Sequence, residues 1–73
     1  MTPEEAEKLL LAAEEAVTVL YRHGAGVAPM LAQFRIKHCR DEIASCQKTG
    51  DLPRFTLGII EQADQIRARR LRS

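Results

Sequence analysis

The sequence predicts an all-α fold built from three helices, and three observations carry that prediction. Apolar residues recur every three or four positions in three successive segments, as they do on the buried face of an amphipathic helix. Glycine and proline fall mainly between these segments, at residues 24–29 and 50–53. The alternation of apolar and polar residues that is typical of strands is nearly absent. We expect a three-helix arrangement or a long helical hairpin with an accessory helix, with residues 1–73 forming a single small domain.

The short length of the chain favours association with another copy. A chain of 73 residues buries only about 60% of the surface that its unfolded form exposes, so it is marginally stable by itself. Disulfides or a structural metal would add stability, but the sequence largely lacks the residues that they need. We therefore expect a homodimer.

The first helix is predicted over residues 3–23. Thr2 suits the N-cap, Pro3 suits the first helical position, and Glu5 completes a capping box. Gly24 follows the segment and can adopt the left-handed conformation that ends a helix. The apolar seam of this helix, spaced alternately by four and three residues, comprises Ala6, Leu10, Ala13, Val17 and Leu20.

The second helix is predicted over residues 28–48, and it has two apolar sides. Phe34 and Ile36 lie about 200° apart around a helix, so one partner helix cannot cover both of them. The first side comprises Val27, Met30, Leu31 and Phe34, and the second comprises Ile36, Cys39, Ile43 and Cys46. Either the segment breaks near Arg35, or one continuous helix contacts two partners.

The third helix is predicted over residues 52–71, with Asp51 as its cap. Gly58 interrupts it at a cost of up to about 1 kcal/mol relative to alanine, and we interpret this glycine as a tolerated exposed residue. The residues expected to face inward are Leu52, Phe55, Ile59, Ala63 and Ile66, with Ile60 beside them.

The net charge of +1 hides an uneven distribution of charge. Glutamates crowd the start of the chain and arginines crowd its end. In an up-down-up bundle the first and third helices run parallel, which places these two regions at opposite ends of the molecule. An antiparallel dimer would bring them together.

The sequence favours a cytoplasmic protein. The longest apolar run, residues 9–13, is far below the ~20 residues that cross a bilayer. Glu4 and Glu5 stand where a secretory signal carries basic residues. Cys39 and Cys46 lie two turns apart, about 10 Å along a helix, so they cannot form a disulfide within it. We expect reduced, buried thiols and no membrane association.

No arrangement of residues predicts catalysis or metal binding. His38, Glu42 and Ser45 share one helical stripe, but a stripe supplies neither an oriented base nor an oxyanion site in a closed pocket. The histidines and cysteines lack the Cys-x-x-Cys or His-x-x-x-His spacing of a strong site. We predict a protein that is not an enzyme and uses no cofactor and no metal.

A small helix-turn-helix DNA-binding regulator that uses residues 28–48 is the alternative hypothesis. A break near Arg35 would leave a second short helix that carries Lys37 and Arg40. However, Asp41 would lie on the same helix, where phosphate repels it. The net charge of +1 is also close to neutral, whereas nucleic-acid-binding domains are usually strongly basic.

Protein binding accounts for more of the sequence. If the second side of the middle helix packs within the chain, its first side is left for another protein or another copy; the reverse arrangement is also open. Met, Tyr, Phe and Arg are enriched in interface cores, and a monomer that exposes large apolar groups risks aggregation. We expect a non-catalytic interaction module, an adaptor, co-chaperone or inhibitor, that acts by surface occupation. The expected interface residues are Tyr21, Val27, Met30, Leu31, Phe34 and Arg35.

Overall fold

A computed structural model describes residues 1–23 and 29–72, and it contains three packed helices in this part of the chain. These are α1 (Pro3–Arg22), α2 (Pro29–Thr49) and α3 (Arg54–Arg72). No strand occurs among the described residues. The predicted all-α class is therefore confirmed, while residues 24–28, which include Val27 and the turn predicted at Gly24 to Gly26, lie outside the described residues.

The predicted capping box is formed at the start of α1. The Glu5 N–H donates to Thr2 Oγ1 at 3.1 Å, and the Thr2 N–H donates to Glu5 Oε1 at 3.0 Å. These bonds satisfy two backbone donors that the first turn of a helix leaves unpaired. At the other end of α1 the His23 N–H donates to Val19 O at 3.1 Å.

Helix α1 packs against both other helices along its length, whereas α2 and α3 touch each other over a shorter stretch. The predicted seam of α1 is confirmed, because its members are buried except for the half-buried Leu10. Alanines on α1 let two helices approach its backbone closely. The main core cluster comprises Ala13, Ala16, Val17, Leu20, Cys39, Ile59 and Ala63.

The directions of the three helices follow from contacts at their ends. Arg70 Nη1 at the end of α3 lies 2.8 Å from His23 Nδ1 just after α1, so α1 and α3 run in the same direction. Pro3 at the start of α1 lines a cavity with Gln47 near the end of α2, so α2 runs the opposite way. The observed arrangement is an up-down-up bundle.

Helix α2 is continuous from Pro29 to Thr49, with no break near Arg35. Its second side packs within the chain, because Cys39, Ile43 and Cys46 are buried and Ile36 is half-buried. The helix-turn-helix unit suggested for residues 28–48 is not formed, since the described residues 29–48 contain no turn.

The inward face predicted for α3 is wrong at its first two residues. Leu52 is 63% exposed and Phe55 is 40% exposed, whereas Thr56 is fully buried. The helix starts two residues later than predicted because a residue before proline is disfavoured in the helical region, and Leu52 precedes Pro53. The later inward positions, Ile59 and Ala63, are buried as expected.

The cap of α3 is supplied by Glu42 of α2, which corrects the expectation that Asp51 would fill this role. Glu42 Oε1 accepts from the Thr56 N–H at 2.8 Å and from Thr56 Oγ1 at 2.7 Å, and Oε2 accepts from the Phe55 N–H at 3.1 Å. The Asp51 N–H donates to Thr49 Oγ1 at 3.2 Å, which ties this residue to the end of α2. The Glu42 carboxylate thus pairs unsatisfied donors at the positive end of the α3 dipole.

The same contacts set the charge state of Glu42. Partial burial acts to raise the pKa of this carboxyl, but hydrogen bonds from Thr56 and Phe55 outweigh it, and the net pKa is lowered. Folding therefore favours the carboxylate over the acid. This contribution to stability is present above the unfolded pKa of about 4.3 and is lost as the pH falls through the lower folded pKa.

The two described glycines lead to opposite predictions. A Cβ built on Gly58 within α3 meets nothing within 4 Å, whereas Gly50 has a φ of +79°. Gly58→Ala should raise the free energy of unfolding by up to about 1 kcal/mol, and Gly50→Ala should lower it by about 1 kcal/mol. Urea unfolding of both variants measures these changes. A destabilising Gly58→Ala would show that this position needs a glycine for another reason.

Removal of the Glu42 cap should destabilise the protein. Glu42→Ala is expected to cost about 2 kcal/mol, because it leaves two backbone N–H groups and a buried hydroxyl without their acceptor. The neighbouring exposed Asp41 provides the control, and Asp41→Ala should change stability by less than about 0.5 kcal/mol. When unfolding is measured across pH, the parent should have a higher free energy of unfolding than Glu42→Gln near neutral pH. This difference should shrink below about pH 4.3. An advantage that is unchanged at acidic pH would contradict the assigned role of the carboxylate.

Candidate functional site

The first half of α2 carries an exposed row of large apolar side chains, which we call the α2 apolar face. It consists of Met30, Leu31 and Phe34, which are 69%, 49% and 60% exposed. Their neighbours on the opposite side of α2 belong to the core, so the helix is anchored while this face is open. About half or more of each side chain therefore stays in contact with water.

Two other predicted interface residues lie at the same end of the molecule as this face or on the same helix. Tyr21, 46% exposed, lies in the last turn of α1. Because α1 and α2 are antiparallel, that turn is at the same end of the molecule as the start of α2. Arg35 is half-buried and follows Leu31 by one turn on α2. Val27, the remaining predicted residue, lies outside the described residues.

The surface around the α2 apolar face is shallow. Met30, Gln33, Phe34 and Lys37 line an open depression with a volume of about 290 Å³. All four residues belong to α2, so no second helix walls the depression. This shape fits contact with the side of another protein better than enclosure of a small molecule.

The structure extends this face in a direction that the sequence interpretation missed. The His38 and Phe55 rings meet edge to face, with centroids 4.2 Å apart and planes at 74°. His38 is four residues after Phe34, so the two lie on neighbouring turns of one helix face. A stripe of exposed apolar and aromatic groups therefore runs from Leu31 over Phe34 and His38 to Phe55. The spacing of His38 after Phe34 was the available signal in the sequence.

The polar residues considered for catalysis have other contacts in the structure. Glu42 is engaged by α3, and His38 packs against Phe55. His23 lies against Arg70 at the far end of α1. Within residues 1–23 and 29–72, no three His, Cys, Asp or Glu side chains gather in a group that would hold a metal ion.

Both cysteines are free thiols in the core. Burial raises the pKa of the Cys39 thiol; a hydrogen bond with Thr56 opposes this effect, and the nearby Glu42 carboxylate adds to it. Burial, Glu42 and Asp51 together raise the pKa of Cys46. Since the thiolate is the reactive form, both groups are poor nucleophiles near neutral pH.

No helix in the described ranges is both long and apolar enough to cross a membrane.

Comparisons of the chain with protein-family models, with curated proteins and with solved structures find no match.

The burial of the thiols gives a direct test of the packing of α2 against the core. Cys39 and Cys46 should react with an aromatic disulfide reagent at least about tenfold more slowly in the native protein than in urea. Ser45→Cys adds a thiol at an exposed position next to Cys46 and should react at the unfolded rate. Rapid reaction of both native thiols would contradict the observed packing of this side of α2.

Proposed function

We propose that the protein is a small non-catalytic interaction module that acts by covering a surface of another protein, as an adaptor, a co-chaperone or an inhibitor does. The mechanism is steric, and it requires no cofactor. We propose a cytoplasmic setting, in which Cys39 and Cys46 stay reduced.

The observation that carries this proposal is the exposure of Met30, Leu31 and Phe34 on one face of α2. Neighbouring large apolar side chains on the surface of a small protein mark interaction sites. Methionine and phenylalanine are also enriched in the cores of interfaces. The face is thus typical of a protein-binding surface.

The packing of α2 against the core also favours binding at this face. The buried side chains of Cys39, Ile43 and Cys46 hold the second half of α2 against the core. The Glu42 cap fixes α2 to the start of α3. Side chains presented on an anchored helix lose less conformational entropy on binding than side chains on a loop, which favours affinity.

The size of the surface indicates that the whole stripe takes part. Each of these partly exposed side chains offers roughly 100 Å² of area, whereas a standard interface buries about 800 Å² on each partner. The α2 apolar face by itself is therefore too small. The extension over His38 to Phe55, which is 40% exposed, supplies further apolar area.

A second copy of the chain is one way to cover this surface, and the homodimer expected from the sequence stays a prediction. Leu31→Asp with Phe34→Asp should abolish association and leave helix content unchanged, because both side chains are exposed in the bundle. Light scattering over a range of concentrations and circular dichroism measure the two quantities. Leu11→Asp is the matched control, since Leu11 is 55% exposed on α1.

Contact with another protein is tested by photocross-linking in cells that express the chain at its native level. A photoreactive phenylalanine analogue at position 34 should form discrete adducts, and the same analogue at position 11 should not. The double aspartate variant should lose partner binding as well. Equal adducts at both positions, or association of the double variant at the parent's strength, would show that the surface is wrongly chosen.

A further inference from the structure

Two stretches of the chain contain basic residues and no acidic ones. The first is residues 16–40, which include Arg22, Arg35 and Lys37 but no aspartate or glutamate. The second is residues 65–73, which include four arginines and again no acidic residue. In the sequence these stretches are far apart.

The fold brings the two stretches to one end of the molecule. The contact between Arg70 and His23 places the last turn of α3 beside the end of α1. Val19 and His23 line an open depression of about 430 Å³ together with residues of the last turns of α3. Since α2 is antiparallel to α1, its first half lies at this end too. We call this region the basic end, and its members are Arg22, Arg35, Lys37, Arg67, Arg69 and Arg70.

Basic residues outnumber acidic ones near this end. Asp64 pairs with Arg67 at 3.2 Å, but both side chains are well exposed, so the pair neutralises little of the surrounding field. Along α2, Asp41 is the first carboxylate, one turn beyond Lys37. The Glu42 carboxylate accepts hydrogen bonds at the start of α3. Glu4, Glu5 and Glu7 lie at the opposite end of the bundle. Glu14 and Glu15 of α1 and Glu61 of α3 lie between the two ends, at about the level of Lys37 and about 10 Å or more along their helices from Arg22 and Arg70.

The α2 apolar face therefore lies on the basic end, with Arg35 and Lys37 on the same helix. A partner that buries Leu31 and Phe34 must bring its own surface against these cations. Acidic groups on the partner would gain from this field and associate faster, whereas basic groups would be repelled. Charge complementarity thus restricts the kind of partner that fits.

The shape of the stripe restricts the partner further. Leu31, Phe34 and His38 are spaced by three and four residues and form a row about 10 Å long on one helix, which Phe55 extends. A row of this kind is the ridge against which another amphipathic helix packs. Duplex phosphates would pair with the cations but leave this apolar row uncovered.

We propose that the α2 apolar face binds an acidic amphipathic helix of a partner protein, with the apolar side of that helix on Leu31 and Phe34 and its carboxylates toward the basic end. This inference rests on the proposed function and names the chemistry of its partner. Because Asp41 follows Lys37 on α2, the acidic groups of the partner helix lie toward the start of α2.

Three synthetic probes test the proposal by fluorescence anisotropy. The first is a labelled helical peptide of about 18 residues with leucines along one face and glutamates elsewhere. The second carries lysine in place of glutamate, and the third has the composition of the first in an order that disperses the leucines. The acidic amphipathic peptide should bind at least about tenfold more tightly than either control, and its affinity should fall several-fold between about 50 and about 300 mM salt.

Charge variants separate the basic end from the rest of the surface. Arg35→Glu with Lys37→Glu should weaken binding of the acidic peptide at least about tenfold. Because Arg35 is half-buried, Arg35→Gln with Lys37→Gln serves as a second variant if the first does not fold. The matched control reverses the charge of two exposed cations in the second half of α2. Arg40→Glu with Lys48→Glu should change the affinity by less than about threefold.

Several outcomes would overturn the proposal. Equal binding of the lysine peptide, or binding that survives Leu31→Asp with Phe34→Asp, would remove the acidic helix as the occupant. Tighter binding of phosphatidylserine vesicles or of a short DNA duplex, independent of Leu31 and Phe34, would assign the basic end to lipid or nucleic acid. A homodimer that the acidic peptide fails to dissociate would assign the face to a second copy. Specific cross-linking at position 34 with no binding of the acidic peptide would reject this partner chemistry and leave the proposed function intact.

Discussion

The Glu42 carboxylate joins α2 to α3, and the contact between these two helices depends on it. Elsewhere α2 and α3 touch little, and each packs mainly on α1. Hydrogen bonds from Thr56 and Phe55 fix where α3 starts relative to α2. They also bring the Phe55 ring against His38. An anion held at the start of a helix is stabilised by the unpaired N–H groups there, so one side chain caps α3 and orients it.

The two sides of α2 have different roles because only one of them meets α1. Cys39, Ile43 and Cys46 lose their contact with water, while Met30 and Phe34 keep most of theirs. Full burial of such a side chain is worth about 1.5–3 kcal/mol, and the isolated chain realises only part of that. The remainder becomes available when a partner covers the face. The anchored half of α2 thus supports the half that we propose to bind.

The parallel course of α1 and α3 gives the bundle its electrical asymmetry. It places the arginines of α3 beside the acid-free end of α1, at the contact between Arg70 and His23. Like charges at one end repel one another and cost stability, although exposed groups are screened by salt. An acidic partner would relieve this repulsion while it buries the apolar face. The electrostatic and apolar features of this end therefore favour the same kind of occupant.

The sequence by itself determined the three helices, the capping box at Thr2 and the buried seam of α1, because these depend on residues three or four positions apart. It also showed that α2 has two apolar sides. Only the tertiary structure decided which side is buried, since that depends on where α1 lies. The cap at α3 joins residues 13 and 14 positions apart, so local pattern pointed to Asp51 instead of Glu42. The His38–Phe55 contact escaped prediction for the same reason, because periodicity reports which residues share a face and not which faces meet.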